Sequence, residues 1–514
     1  MKLYTSLVGL LAAWLAVPHG VSGYTNPLVI KNYKFYDSVT GKYFGVRGVD
    51  YYPRPNAGEL DVNNHDFFTD DHEHIWGPDI SYLAAVGANA VRLYAVDPSK
   101  SHDKFMCALR ANGMYAMIDL GANCKNCAIT KDKFPACYPD DLKSRGEQII
   151  SVFAKYDNVM AFSAGNEVNH VVSDPKHNAP CQKKFIRDMR AYISRCSTIR
   201  DIPVGVVLAD TNRDVNALYY NCRTSSSDNL ENAEWYGLNV YLHCAGSVTD
   251  VSKAAGFQEL LSDFKSYKMN IPVMLTEFGC LNPTFPTVDG YEAQRTWLQA
   301  GWLHSTAFRA EFSGGFVFEF STENANSKKD APYPFTKYGE QNYGLGYFSP
   351  ETCDHATTKC VFNPMPNYKF LAQQYNATKY DDEPLMSAFT PDVNKVDVPQ
   401  CPPGFAKLGD VTWSADSVES AACPAKYLAY TCPNQTPSGN GSSKAGSGNG
   451  GQTGSSSKGT GSSSKGTGSG SKGNPNTPAP TGAGSKKSDA MGAPKTTASV
   501  VSACAVSALL TGLL

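Results

Sequence analysis

The sequence predicts an α/β fold, a (β/α)8 barrel, followed by a small cysteine-bearing extension and a disordered Ser/Gly-rich stalk. Three observations predict the barrel: eight short β-rich apolar runs between residues 46 and 320, longer amphipathic stretches between them, and a polar, mostly acidic, residue ending nearly every run. The runs are Val46–Tyr52, Ala90–Val96, Tyr115–Leu120, Val159–Ala164, Val204–Ala209, Tyr236–Tyr241, Pro272–Thr276 and Gly315–Phe320. Each is apolar along most of its length, as parallel strands covered on both faces must be. The stretches His102–Asn112, Leu142–Ala154 and Gln182–Cys196 carry helical spacing. Eight strand–helix units in about 280 residues fit the barrel. An open doubly wound sheet is disfavoured, because no Gly-x-Gly-x-x-Gly follows the first run. Residues 24–379 are assigned to the barrel.

The two ends of the 514-residue chain differ from this body. Residues 1–23 hold Lys2, an apolar run from Leu3 to Val17, Pro18 and the small pair Ser22-Gly23, the order of a secretory signal. Residues 499–514 are apolar to the last position, preceded by the small residues Ser488, Asp489 and Ala490 and a spacer from Met491 to Ala498. That order matches the signal for a glycosylphosphatidylinositol anchor, with residues 489–514 removed and Ser488 as attachment site. Residues 436–488 form a Gly/Ser/Lys tract with nothing to bury, which stays disordered. About fifty such residues span roughly 40 Å r.m.s.. The expected protein is exported and held on the outer leaflet of the plasma membrane, or passed to the cell wall.

Charge agrees with that address. Of 46 Lys and Arg and 48 Asp and Glu, seven Lys and one Asp fall in 436–514 and one Lys in 1–23, which leaves 38 against 47 in the body. A body that acidic has no footprint for nucleic acid, which is not expected as a partner. Fifteen cysteines become fourteen once Cys504 leaves with the anchor signal, and an even count in a secreted chain reads as a disulfide framework. Cys124-x-x-Cys127 lacks the second pair a zinc site needs and is read as disulfide-forming. Sequons at Asn376, Asn434 and Asn440 fit an exported surface. Asp70-Asp71-His72-Glu73-His74 fits no helical zinc spacing and reads as a solvated loop. Neither a phosphate-binding glycine loop nor a Gly-x-Ser-x-Gly elbow occurs, so no metal and no cofactor is expected.

In a (β/α)8 barrel the site is built where strands end. Those ends carry Asp50, Tyr94 and Asp97, Asp119, Asn166-Glu167, Asp210, Asn239 and Tyr241, Glu277, and Glu319. Stability alone does not call for acids converging on one mouth, since like charges repel and shift one another's titration. Glu167 after the fourth strand and Glu277 on the seventh can face each other across the cleft. Paired carboxylates are what glycosidic cleavage needs: one protonates the leaving oxygen, the other attacks the anomeric carbon, with retention when they stand about 5–5.5 Å apart. Asn166 is placed to bond a sugar hydroxyl beside the reacting carbon. Tyr51, Tyr52, Tyr94, Tyr241 and Phe285 are candidate faces for sugar rings.

Six segments carry a family resemblance: Arg-Gly-Val-Asp-Tyr (47–51), Val-Arg-Leu-Tyr-Ala-Val-Asp (91–97), Phe-Ser-Ala-Gly-Asn-Glu-Val (162–168), Leu-Thr-Glu-Phe-Gly-Cys (275–280), Gly-Gly-Phe-Val-Phe-Glu-Phe-Ser (314–321) and Asn-Tyr-Gly-Leu (342–345). Over roughly residues 27–350 the chain resembles glycoside hydrolase family 72, the cell-surface 1,3-β-glucanosyltransferases of fungal-type walls. The resemblance implies Glu167 as acid/base, Glu277 as nucleophile, and Tyr94, Asp119, Asn166, Asp210, Arg213, Tyr241 and Tyr343 as glucan contacts. Phe318 joins that set, standing where the family usually presents Tyr. Transfer of the cleaved fragment to the 3-hydroxyl at the non-reducing end of another 1,3-β-glucan is implied by the resemblance alone. The family pattern implies disulfides Cys222–Cys353 and Cys244–Cys280, and Cys107–Cys137 is added as a third pair. Some members carry an eight-cysteine glucan-binding module after the barrel. Beyond Cys360 this chain has Cys401, Cys423 and Cys432 before the stalk, so 380–435 reads as a small disulfide-tied extension.

Two alternatives stay open on the residues themselves. A secreted retaining β-glucan hydrolase on the same barrel would release only shorter products. A non-catalytic wall-binding surface protein would account for stalk and anchor, but has no need of two opposed carboxylates.

Overall fold

Eight strands close into a parallel barrel in chain order: β1 (Val46–Asp50), β2 (Ala90–Leu93), β3 (Tyr115–Asp119), β4 (Val159–Asn166), β5 (Val204–Ala209), β6 (Tyr236–Val240), β7 (Val273–Phe278) and β8 (Gly314–Val317), which pairs back onto β1 with Phe316 opposite Gly48. All eight apolar runs become these strands. The computed structural model describes residues 25–433 except 59, 61–64, 243–247, 280–286, 289–290, 293–295, 324–331, 337–341 and 427–428. The expected leader (1–23), stalk (436–488) and anchor signal (489–514), with Ser488, Asn434, Asn440 and the pair Cys244–Cys280, lie outside the described residues or have a member there.

The strands are apolar on both sides because they serve two cores. The outer core packs strands against helices, with Phe105, Leu109, Ile149, Phe185 and Phe264 fully or almost fully buried. The inner one fills the barrel with Val46, Ala90, Met117, Ala161, Val207, Met274 and Phe316, and a short antiparallel hairpin (Leu28–Lys31 with Lys34–Asp37) adds Leu28 and Phe35 to it. Gly48 is required there: a Cβ would stand 2.2 Å from the Phe316 ring. Helices follow the amphipathic stretches as Asp103–Ala111, Asp140–Phe153 and Pro175–Arg195. The last begins earlier than its periodicity suggests, because Asp174 accepts from the Lys176 amide and Pro175 suits the first turn. The acidic stretch at 70–74 is a correction. It is solvated as expected, with Asp71, Glu73 and His74 exposed, but forms a 3-10 turn (Asp70–His72) running into Glu73–Trp76, and Asp70 accepts from the Lys104 amide at the start of the helix Asp103–Ala111.

The disulfides depart from the expected pairs. Cys222 bonds Cys401 and Cys353 bonds its near neighbour Cys360, so Cys222–Cys353 does not form. Cys107 bonds Cys432 and Cys137 bonds Cys181, so Cys107–Cys137 does not form either. Cys196 bonds Cys423, and Cys124 bonds Cys127. The physical reason lies in the path of residues 401–432. They run backwards around the outside of the barrel, from the helix Arg213–Asn221 to Asp103–Ala111, and bring each late cysteine to a barrel cysteine. Phe405 stacks on Tyr219 at 3.8 Å, and buried Lys143 donates to the Ala415 and Val418 carbonyls at 2.9 and 3.0 Å. Lys184 reaches Asp416 at 2.6 Å, and Glu147 accepts from the Ala421 amide. The sequon at Asn376 is exposed on the last turn of the helix Pro366–Ala377. Among the described residues, no helix is long and apolar enough to cross a membrane.

Candidate active site

Both glutamates sit at interruptions of the barrel ladder. Between Ser163 and Asn166, β4 carries one residue more than β5, whose partners are Gly205 and Val207. Between Leu275 and Glu277, β7 carries one residue more than β6, where Leu238 is followed directly by Asn239. A bulge of this kind re-aims a side chain. Glu277 then lies opposite Asn239, 5% exposed, and Glu167 follows Asn166 with φ +50, in the left-handed region. The Glu167 amide donates to the Val207 carbonyl at 3.0 Å, and its carbonyl accepts from the His170 amide at 2.8 Å.

One guanidinium organises the mouth. Arg92, on β2 and fully buried, donates from Nη2 to Asp119 Oδ2 and to Asn166 Oδ1, both at 2.9 Å, and from Nη1 to Glu277 Oε1 at 3.1 Å. Tyr94 OH donates to Glu277 Oε1 at 2.9 Å and Tyr241 OH to Oε2 at 2.8 Å. Asn239 Nδ2 donates to Asn166 Oδ1 at 3.1 Å and to Glu167 Oε1 at 2.9 Å, while its own oxygen accepts from Thr276 Oγ1 at 2.8 Å. Tyr94, Asp119, Asn166, Glu167, Tyr241 and Glu277 thus share one hydrogen-bonded network. Phe318 and Tyr343 complete its aromatic wall, 5.3 Å apart by ring centroids, with Tyr241 5.2 Å from Tyr343. Tyr52 donates to Glu319 and stands edge-on to Tyr94.

Other candidates are placed elsewhere. Arg213 grips Asp210 with two 2.7 Å bonds and reaches Asp263 at 2.6 Å, a rim ion pair facing the helix Ala255–Tyr267. Asp97 accepts from the Ser99 amide at 2.9 Å in a local turn. Tyr51 points into the core, where its hydroxyl meets Asp79 at 3.0 Å. Phe285 lies outside the described residues.

Negative groups outnumber the one guanidinium. Burial pushes Asp50 well above the usual carboxylate range, with Arg92 opposing and Glu277 adding to the rise. Burial raises Asp119 too, against Arg92. Glu277 is pushed up to about 7, first by burial and then by the charge of Glu167, while Arg92, Tyr241 and Tyr94 pull it down. The cluster therefore holds a proton near neutral pH, as acid/base chemistry requires. Among the described residues, three donors converge on Glu277 and stabilise charge there, and Asn239 donates to Glu167.

Sequence reasoning passed over Arg92, Thr276 and Asn169. Arg92 had a signal, a lone charge inside the apolar run Ala90–Val96, where an unpaired cation is not tolerated. Thr276 and Asn169 had none, since a polar residue beside a strand end is ordinary.

Residues 19–328 match the model of glycoside hydrolase family 72, described as glucanosyltransferase. The chain belongs to that family. Family 72 relatives include 1,3-beta-glucanosyltransferase GAS5 of Saccharomyces cerevisiae, 33% identical over 62% of this chain and 60% of the relative. Another is 1,3-beta-glucanosyltransferase gas4 of Schizosaccharomyces pombe, 35% identical over 58% and 61%. The chain thus spans about 60% of the length of these curated relatives. Among solved structures it is similar to Saccharomyces cerevisiae Gas2p in complex with laminaripentaose, at 26% identity and TM-score 0.56 over 75% of each chain.

Proposed function

We propose that this chain is a retaining 1,3-β-glucanosyltransferase that cleaves an internal linkage of one 1,3-β-glucan and joins the fragment to the non-reducing end of another. The observation that carries this reading is the linkage of Glu167 and Glu277 at one mouth: Asn239 bonds the first and lies opposite the second, and the like charge of Glu167 raises Glu277. Such closeness supports double displacement, whose carboxylates stand about 5–5.5 Å apart.

Glu277, whose anionic form Arg92, Tyr94 and Tyr241 stabilise, attacks the anomeric carbon. Glu167 gives its proton to the glycosidic oxygen, so the reducing-side chain leaves as an alcohol and Glu277 becomes a glycosyl ester. The 3-hydroxyl of an acceptor then loses its proton to Glu167 and attacks the same carbon, which frees Glu277 and restores both carboxyls. Asn166, fixed by Arg92 and Asn239, is positioned for the hydroxyl next to the reacting carbon. Tyr241, Phe318 and Tyr343 offer ring faces to the sugar. The transferase names of the relatives, and the laminaripentaose bound to Gas2p, support glucan as donor and acceptor.

The deciding experiment incubates the protein with reduced laminari-oligosaccharides. Products longer than the substrate are expected; only shorter ones would make it a hydrolase. On these unactivated oligosaccharides Glu167→Gln and Glu277→Gln each abolish turnover in a folded protein, and activity of either on them removes the assignment. Placement at the outer leaflet through an anchor at Ser488, with sugars on Asn376, Asn434 and Asn440, rests on the sequence of the chain ends. Release from intact cells by a phosphatidylinositol-specific phospholipase checks it.

A further inference from the structure

We infer that Asn169 is the positioning residue for Glu167, its carboxamide clamping the turn after β4 to the end of β5 so that the acid/base carboxyl faces the reacting bond. The inference rests on the assignment of Glu167 as acid/base. Past Asn166 the β4–β5 ladder has no strand residue left on the β4 side, yet Ala209 still presents an amide and a carbonyl. Asn169, 6% exposed, takes both: its Oδ1 accepts from the Ala209 amide at 2.9 Å and its Nδ2 donates to the Ala209 carbonyl at 2.9 Å. The same Nδ2 reaches Thr211 Oγ1 at 2.9 Å. A carboxamide carries the donor and acceptor of a peptide unit, so this side chain extends the sheet by one rung after the backbone has turned away.

The geometry closes on itself. Ala209 lies opposite Asn239 in the β5–β6 register, and Asn239 holds Glu167 Oε1. Asn169 therefore ties the turn to the rung that carries the partner of Glu167. Glu167 itself is in the left-handed region, which a residue with a side chain keeps only where its surroundings impose it. Two further amides brace the turn from the helix Pro175–Arg195, Asn178 on the Val168 carbonyl at 2.9 Å and Gln182 on the Ala164 carbonyl at 3.0 Å. Of the three, Asn169 crosses to β5.

The test measures kcat, KM and the pH dependence of kcat/KM on laminari-oligosaccharides for Asn169→Ala, Asn169→Asp and Thr211→Val, with thermal melts beside them. Asn169→Asp keeps the shape but turns the donor facing the Ala209 carbonyl into an acceptor. A fall in kcat of about ten- to a hundredfold is expected for both Asn169 variants, with KM little changed, because a misplacement of about 1 Å costs that much. The acid limb of the pH profile moves to lower pH as Glu167 leaves Glu277. Arg92 from β2, Tyr94 just after it, Tyr241 after β6 and Asp50 from β1 still face Glu277, so in Asn169→Ala, which adds no charge, the shift reports Glu167 alone. A loss of stability without misplacement lowers the melting temperature but moves neither kcat per folded molecule nor the limb. Thr211→Val, which removes one bond, lowers kcat about two- to fivefold and decides the matter if the Asn169 variants do not fold. Wild-type kcat and limb in the folded variants, with Glu167→Gln inactive, overturn the positioning role; an active Glu167→Gln overturns the assignment beneath it.

Discussion

Arg92 Nη1 stands 3.1 Å from Glu277 Oε1, and the same guanidinium bonds Asp119 and Asn166 through Nη2. The pair is withdrawn from solvent: Arg92 is fully buried and Glu277 nearly so. Its opposite charge is the main electrostatic pull lowering Glu277 against burial. Arg92→Lys keeps the charge but not the planar fork, whose two nitrogens reach Glu277 on one side and Asp119 and Asn166 on the other. The expected result is a kcat loss of about a hundredfold or more and an acid limb moved to higher pH. Arg92→Ala leaves Asp119 and Glu277 buried without a cation and costs about 3–5 kcal/mol of stability, read by denaturant unfolding.

Removing the like charge acts in the other direction. Glu277 is pushed up to about 7 by burial and by Glu167. Glu167→Gln deletes the second push, so Glu277 ionises at lower pH. On an activated substrate whose leaving group needs no acid, such as a laminaribiosyl fluoride, the variant should still release a burst of fluoride as Glu277 is glycosylated, while acceptor attack without the Glu167 base is slow. Its acid limb should fall below that of the wild type. An unmoved limb would mean that the two carboxyls do not sense each other.

Much of this was legible in the chain. Parallel barrel strands are buried on both faces and read as apolar runs, which is why β1 to β8 are found where the runs lie. Glu167 and Glu277 were visible because an acid at the end of such a run has nowhere to point but the mouth. The pairing of Asp210 with Arg213 and of Arg213 with Asp263 was not read from sequence, since Asp263 comes from a helix 50 residues further on. Disulfides were the least legible. Pairing is decided by which helix the returning chain crosses, and residues 401–432 cross them in reverse order. The role of Arg92 depends on Tyr94 just after β2 and on partners from β3, β4 and β7, and no local pattern encodes such a meeting.

Tyr241 isolates one donor. Its hydroxyl bonds Glu277 Oε2 at 2.8 Å and favours the carboxylate. Tyr241→Phe keeps the ring beside Tyr343 and removes that bond. A bond to a charged group contributes about 1.5–3 kcal/mol, so the acid limb should rise by about one pH unit or more. Stability follows the same carboxyl. In the wild type, Glu277 is protonated in the fold up to about 7 but in the unfolded chain only to its ordinary value of 4.5. The folded state binds more protons in that window, so this contribution to stability is present below pH 4.5 and lost as pH rises through 7. Melting temperatures across the window, compared between wild type and Glu277→Gln, should show a steeper fall with pH in the first than in the second, where buried Asp79, also raised to about 7, still contributes.

The returning segment 401–432 makes a prediction separate from catalysis. Cys196–Cys423 fastens it to the C-terminal end of the helix that follows Glu167, with a sequence separation of 227 residues. Around this bond Tyr192 OH donates to the Ala422 carbonyl at 3.1 Å and Arg195 to the Ala421 carbonyl at 2.9 Å. Cys107–Cys432 and Cys222–Cys401 hold the segment on either side. Replacing both Cys196 and Cys423 by Ser therefore frees only the middle of the belt. The expected loss is about 2–4 kcal/mol, seen as a lower denaturant midpoint, because the cross-link restrains the unfolded chain more than the folded one. The catalytic mouth lies at the other end of that helix, so kcat and KM at 25 °C should stay at wild-type values. A matching fall in kcat would instead make the belt part of what holds Glu167 in place.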